Sequence, residues 1–401
     1  MKKMKMLFGL TILLLLVFIS VPSFAQQVLK IGSFNALTGP AASWGINIGK
    51  GIDLCVEDWN KKGGVTVKGQ KYKIEMIHED DKYRGEEAVK AVNKLIFTDK
   101  VKFIVSPIAS ICVMAAQPTT EANKVILIFN GYGPREILKG KPYSFRTYIP
   151  ADHSAPAFFG FIHKRYPELK TVVHIGPNNT GGWTGTQADN DACDAIGIKV
   201  LASEFFEPAT QDFTPMIIRI LPLKPDFVSL TGTPGAPAAL IIKQARELGY
   251  KGRFVHGGIF PSDEIGPVAG WENIEGFLDT SLSMEGPLCP PGLKRVGAKW
   301  VAKYGKVGFP AGGSGHNNLN VLLWGIEKAN SLDTEQVREG IENLGDIEVM
   351  EGKSHWGGQE YYGIKHQLIA PVIISEVQDR KLITAGVEMA QEVPLPQKKW
   401  R

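Results

Sequence analysis

The sequence is poor in the residues that redox, metal or covalent chemistry needs. Four cysteines, Cys55, Cys112, Cys193 and Cys289, occur in 401 residues. None forms a CxxC pair, which argues against a zinc site or redox motif. The eight histidines show no HExxH or HxH spacing, so no metal centre is expected. No cofactor is expected either. The Gly-rich stretch Asn178–Gly185 lacks the spacing and the lysine of a P-loop. Gly312-Gly313-Ser314-Gly315-His316 lacks the Gly-x-Ser-x-Gly frame of a nucleophile elbow and reads as a flexible loop. Asp80 and Asp81 are adjacent, and neighbours in a strand face opposite ways, so they read as loop caps rather than an acid/base pair. Together these absences leave no catalytic constellation. Charge of one sign is also lacking. The formal net charge is +4, and about +1 without Lys2, Lys3 and Lys5, which provides no basic face for nucleic acid. After residue 21 no apolar run is long enough to cross a bilayer.

What is there begins with an export pattern. Three lysines precede an apolar run from Met6 to Val21, and small residues at Ser23 and Ala25 suit cleavage before Gln26. This order is that of a secretory signal over residues 1–25, and it predicts a periplasmic protein. No cysteine follows the cut to carry a lipid. An oxidising compartment permits disulfides, but the sequence leaves their pairing open. The remaining length suits two domains of about 100–200 residues each.

Strand and helix patterns then alternate. Val28–Phe34, Tyr72–His78, Phe103–Val105 and Val125–Phe129 read as strands, with helices over Ile46–Asn60 and Glu86–Phe97. After Pro150 the order restarts. Thr171–Ile175, Val200–Phe206, Phe227–Leu230 and Arg253–His256 are predicted strands. His153–His163, Thr186–Ile196, Thr214–Leu221 and Pro237–Leu248 are predicted helices. Helices over Pro291–Tyr304 and Asn318–Ala329 follow, then β-structure from Tyr361 to Thr384. The fold class is α/β, with two similar parallel-sheet lobes. Such sheets bind ligands beyond the carboxyl ends of their strands, which selects the loops after Phe34, Val105, Phe129, Ile175, Leu230 and His256.

Several segments resemble one known family. Leu37-Thr38-Gly39-Pro40, Trp44-Gly45, Gly51 and Asn60 through Gly63-Gly64-Val65 match its opening signature. Gly69, Asp80-Asp81, Ala88 and Leu95 continue it. Ser106-Pro107-Ile108-Ala109-Ser110 is similar to its Gly-Pro-x-Ser-Ser loop. Asp212-Phe213-Thr214-Pro215, Pro225-Asp226 and Lys243 through Gly249 resemble its second-lobe segment. The family is that of periplasmic substrate-binding proteins of branched-chain amino-acid (Leu/Ile/Val) type ABC transporters. The resemblance implies a type I periplasmic binding fold, its lobes joined by three crossovers around a ligand cleft. Crossovers are expected near Arg146–Tyr148, Asp279–Ser281 and Met350–Lys353. The first lobe would comprise 26–147 plus 281–351, and the second 148–280 plus 352–401.

The resemblance also implies a function and a site. The chain would be a non-enzymatic, monomeric binding component that delivers a small carboxylate-bearing solute to permease subunits in the inner membrane. The alternative is a ligand-sensing subunit of a receptor or chemotaxis system on the same fold. Ala109, Ser110, Gly131, Tyr132 and Gly133 would hold the ligand carboxylate, through the Ser110 hydroxyl and exposed backbone N–H groups. Ser110 is alternatively a helix N-cap. Trp44, Tyr132 and Trp183 are aromatic candidates for packing on the ligand. Amino-acid binders of this group carry an acid after the strand ending at His256. Here Ile259 and Phe260 stand there, with Asp263 and Glu264 slightly later. An unpaired buried ammonium is costly, so these residues favour a carboxylate without an amine.

Overall fold

The computed structural model describes residues 27–39, 41–207, 209–258 and 262–392. The expected signal segment, residues 1–25, lies outside them. The chain begins with β1 (Gln27–Asn35), α1 (Ala42–Lys61), β2 (Val65–Val67), β3 (Gln70–Asp80), α2 (Gly85–Asn93), β4 (Phe103–Val105), α3 (Ser110–Ala122), β5 (Ile126–Phe129) and β6 (Ser144–Arg146). It continues with α4 (Ala151–Arg165), β7 (Thr171–Pro177), α5 (Thr180–Ala195), β8 (Lys199–Phe206), α6 (Thr214–Ile220), β9 (Phe227–Ser229), α7 (Gly235–Glu247), β10 (Arg253–His256), α8 (Ser262–Ala269) and β11 (Leu278–Asp279). It ends with α9 (Pro291–Tyr304), α10 (Phe309–Ala329), α11 (Thr334–Glu342), β12 (Ile347–Val349), β13 (Gly352–Gly357), α12 (Gln359–Tyr362), β14 (Gln367–Ile369), β15 (Pro371–Gln378) and β16 (Lys381–Met389).

Two sheets result. One has the order β12-β13-β14-β6-β5-β4-β1-β3-β2, the other β16-β15-β11-β10-β9-β7-β8. Their centres are parallel, as alternation of strand and helix requires. Antiparallel hairpins finish the edges. In the first sheet, alternate residues point to opposite faces. Ile31, Phe103 and Ile126 meet the core shared with α1 and α10, and Phe34, Ile104 and Leu127 meet the core shared with α2 and α3. This is the two-lobed α/β fold expected from the sequence.

Two expectations need correction. The third crossover is not at Met350–Lys353. The β12–β13 hairpin folds back onto β14, and β14 pairs parallel to β6, so the chain stays in the first sheet through Ile369. It enters the second sheet at Pro371, where β15 begins. The residues 352–369 expected in the second lobe therefore belong to the first sheet. Likewise Gly312–His316 is not a loop but the interior of α10. Its glycines let α10 lie backbone to backbone on α1. A Cβ on Gly51 would sit 1.7 Å from the Gly312 carbonyl oxygen, and one on Gly315 would sit 2.3 Å from that of Ile48. Glycine is usually costly in a helix, and here the close approach of two buried helices offsets that cost. The four cysteines are all buried free thiols.

Candidate functional site

The loops after Val105, Phe129, Leu230 and His256 meet at the carboxyl ends of the two sheets. On the first lobe, β4 ends at Val105 and the chain turns at Ser106, a fully buried residue with φ of 67°. A non-glycine residue there is strained by about 1 kcal/mol or more. The turn leads to α3, whose first residue is Ser110 and whose N-cap is Ala109. Ser110 is thus not the N-cap. Its hydroxyl instead accepts the backbone N–H of Tyr132 at 2.9 Å, which ties the loop after β5 to the start of α3. The amino end of a 13-residue helix faces this junction, and its unpaired N–H groups favour an anion.

Gly131 and Gly133 have a steric reason. A Cβ on Gly131 would lie 2.2 Å from the Glu136 carboxylate. Glu136 is fully buried, with Arg146 at 3.6 Å. Burial pushes its carboxyl upward, against the pull of Arg146, Ser110 and the backbone at Gly133. Arg146 also donates to the Gly133 carbonyl at 2.9 Å and to the Tyr362 hydroxyl at 2.7 Å. The loop 131–133 is therefore held from below by a buried ion pair that the sequence reading did not single out.

Tyr132 links the lobes. Its hydroxyl donates to the carbonyl of Gly257, just beyond β10, at 3.2 Å. Burial pushes the phenol well up, so it remains a neutral donor. Behind Gly257 a polar line runs into the second lobe. The Gly257 N–H donates to Thr231 Oγ1 at 2.8 Å, Thr231 meets Ser229 Oγ at 3.0 Å, and Ser229 donates to Asp189 Oδ2 at 2.7 Å. Asp189 is fully buried. Burial holds the neighbouring His256 down at about 4, hence neutral. Thr231 and Gly257 follow β9 and β10, in loops marked by topology although these side chains were not.

The remaining expected residues are fixed by other partners. Trp44 is half-buried in the first turn of α1. The loop before that helix is fixed by Asp80, which accepts from Leu37 N–H at 2.9 Å and from the Thr38 hydroxyl at 2.6 Å. Asp81 accepts from Tyr83 N–H at 2.8 Å, so the adjacent acids act on loops. Trp183 lies in the first turn of α5, capped by Asn179. It is 42% exposed, and its ring N–H donates to Asn178 at 3.0 Å. Among the described residues, neither Trp44 nor Trp183 bonds to Ser110, Tyr132 or Gly257. Ile259 and Phe260 lie outside the described residues. Among the described residues no group of three or more His, Cys, Asp or Glu is placed to hold a metal.

A sequence profile described as periplasmic binding protein matches residues 28–381. The chain belongs to the periplasmic binding protein family. Proteins of this family are non-catalytic binding components, so this periplasmic binding protein is not an enzyme. It is 28% identical over 322 residues to a leucine-, isoleucine-, valine-, threonine- and alanine-binding protein of Pseudomonas aeruginosa, covering 80% of this chain and 83% of that one. Among solved structures, a leucine-binding protein from Thermotoga maritima superposes with a TM-score of 0.76 at 24% identity, over 90% of this chain and 99% of the other. A solute-binding protein of R. palustris in complex with benzoate gives 0.76 at 18% identity, over 93% and 100%.

Proposed function

We propose that this periplasmic binding protein is the periplasmic, monomeric receptor of an ABC importer and that it captures a small carboxylate lacking an amine. The observation that carries this reading is the bridge from the Ser110–Tyr132 junction, at the amino end of α3, to Gly257 on the other lobe. An anion seated at that helix end meets both lobes at once, so closure adds contacts and excludes water. Ala109, Ser110 and the loop Gly131–Gly133 hold the carboxylate. Trp44, Tyr132 and Trp183 supply aromatic surface, and Ile259 and Phe260 replace the acid that an ammonium would need. Asp189, the carboxylate beneath Gly257, is sealed in the core and already engaged by Ser229. The named relative binds aliphatic amino acids, while the R. palustris protein holds benzoate, so the fold admits a carboxylate with or without an amine. The permease recognises the closed pair of lobes.

A thermal-shift panel on protein stripped of ligand by unfolding and refolding tests this. A ligand of the native state raises the melting temperature by mass action. Benzoate or 2-oxo acids are expected to raise it, and leucine and valine are not. A shift with leucine or valine alone contradicts the assignment and directs attention to Asp263 and Glu264.

A further inference from the structure

A cavity of about 660 Å³, counting its open mouth, lies where the chain crosses between the lobes. Its described walls include neither Ser110, Tyr132 nor Gly257. All three crossing segments contribute, through Tyr148 and Ile149, through Leu282, and through Pro371 and Val372.

The wall chemistry is lopsided. Glu351, in the turn between β12 and β13, is the one acidic or basic side chain among the described lining residues. Asn317 donates to its Oε2 at 2.7 Å and accepts the Met350 N–H at 3.3 Å, so the amide holds the turn and the carboxyl together. Burial pushes this carboxyl upward, countered by Asn317 and its own N–H alone, with no cation contributing. Several of the other polar groups bond to one another. Thr147 donates to Asn318, Asn318 to Asn130 at 3.0 Å, and Asn130 to Ser314 at 3.3 Å. Opposite them lie Ile149, Leu282 and Val372. An acid that forms no ion pair among the described residues, beside an apolar wall, is complementary to one kind of guest.

We infer that the hinge cavity binds a small organic ammonium ion, with its N–H groups on Glu351 and the neighbouring oxygens and its alkyl chain on the apolar wall. The cation supplies the charge that this half-buried carboxylate lacks. Because the walls come from all three crossings, the cavity changes shape with the hinge. A guest that prefers one hinge state shifts cleft affinity, and the cleft ligand shifts the guest's affinity by the same factor. The inference does not rest on the reading of the cleft.

Calorimetric titration of the stripped chain with n-butylammonium chloride, beside n-butanol as a neutral isostere, tests it. Saturable binding of the ammonium, with butanol at least about tenfold weaker, is expected. Glu351→Gln keeps an oxygen for Asn317 but removes the charge, and should weaken ammonium binding about tenfold or more. Ser314→Leu fills the cavity from a partly exposed helical position and should abolish binding without touching Glu351. Equal binding of butanol, no saturable binding, or ammonium binding unchanged in both variants overturns the inference. A cleft that binds no carboxylate leaves each of these outcomes as stated.

Discussion

Replacing Tyr132 by Phe removes one hydroxyl and keeps the ring. That hydroxyl donates to the Gly257 carbonyl across the cleft at 3.2 Å, a bond that needs the lobes closed, and it also meets the Tyr148 side chain. A bond of this kind is worth about 0.5–1.5 kcal/mol net. Its loss should lower the ratio of closed to open molecules roughly 2- to 12-fold. The apparent affinity for a ligand that needs the closed state falls with the closed fraction. The contact with Tyr148 in the first crossing segment is lost as well, so a fall in melting temperature of no more than about 2–4 °C is expected. Small-angle X-ray scattering on ligand-free protein reads the ratio directly. Tyr132→Phe should give a larger radius of gyration than the parent. An unchanged radius would refute the reasoning that this bond favours closure, and a large fall in melting temperature would show that Tyr132 serves its own lobe instead.

Other consequences follow from packing and burial. Gly51→Ala places a methyl 1.7 Å from the Gly312 carbonyl oxygen and must part α1 from α10. A loss of about 3 kcal/mol is expected in urea unfolding, and a neutral outcome would contradict the close approach. Gly131→Ala drives a methyl into the Glu136 carboxylate and should cost about 1–3 kcal/mol, while also weakening ligand binding through the displaced Tyr132 loop. His256 has a depressed folded-state value of about 4. Between that value and an unfolded value of about 6.5, the unfolded chain binds the extra proton, so this residue lowers stability as pH falls, by up to about 1.4 kcal/mol per pH unit. Buried His153 acts in the same direction, and Glu136 and Glu351, shifted upward, act in the opposite one. The contribution of His256 is therefore read as the difference between the parent and His256→Gln in unfolding free energy from pH 6.5 to 4.5. Parallel pH profiles would contradict it.

The parallel cores of both sheets were legible because buried parallel strands are short apolar runs and their helices repeat with helical period, as in Ile48, Ile52 and Cys55 of α1. The loops that meet at Ser110, Tyr132 and Gly257 follow strand ends, and topology alone selects those. Three features were hidden for physical reasons. The turn at Met350–Glu351 and the return through β14 carry no signal that says which sheet a strand will join, so the sequence places the third crossover some twenty residues early. Gly312, Gly313 and Gly315 read as loop because glycine is a poor helix former, and only the backbone of α1 lying against them explains their place. The line Asp189–Ser229–Thr231–Gly257 and the pair Glu136–Arg146 join residues far apart in sequence through buried polar contacts, which leave no periodic trace. Ser110 was marked, but its hydroxyl supports Tyr132, a role that neither cap nor ligand contact anticipated.

The central claim is that the cleft closes on a carboxylate without an amine. Whichever acid raises the melting temperature most should be titrated calorimetrically beside its primary amide and its α-amino analogue, using stripped protein. The acid is expected to bind with one-to-one stoichiometry, and the neutral amide and the amino acid at least about tenfold more weakly. An amide that binds as tightly as the acid, or an amino acid that binds more tightly, would contradict the claim.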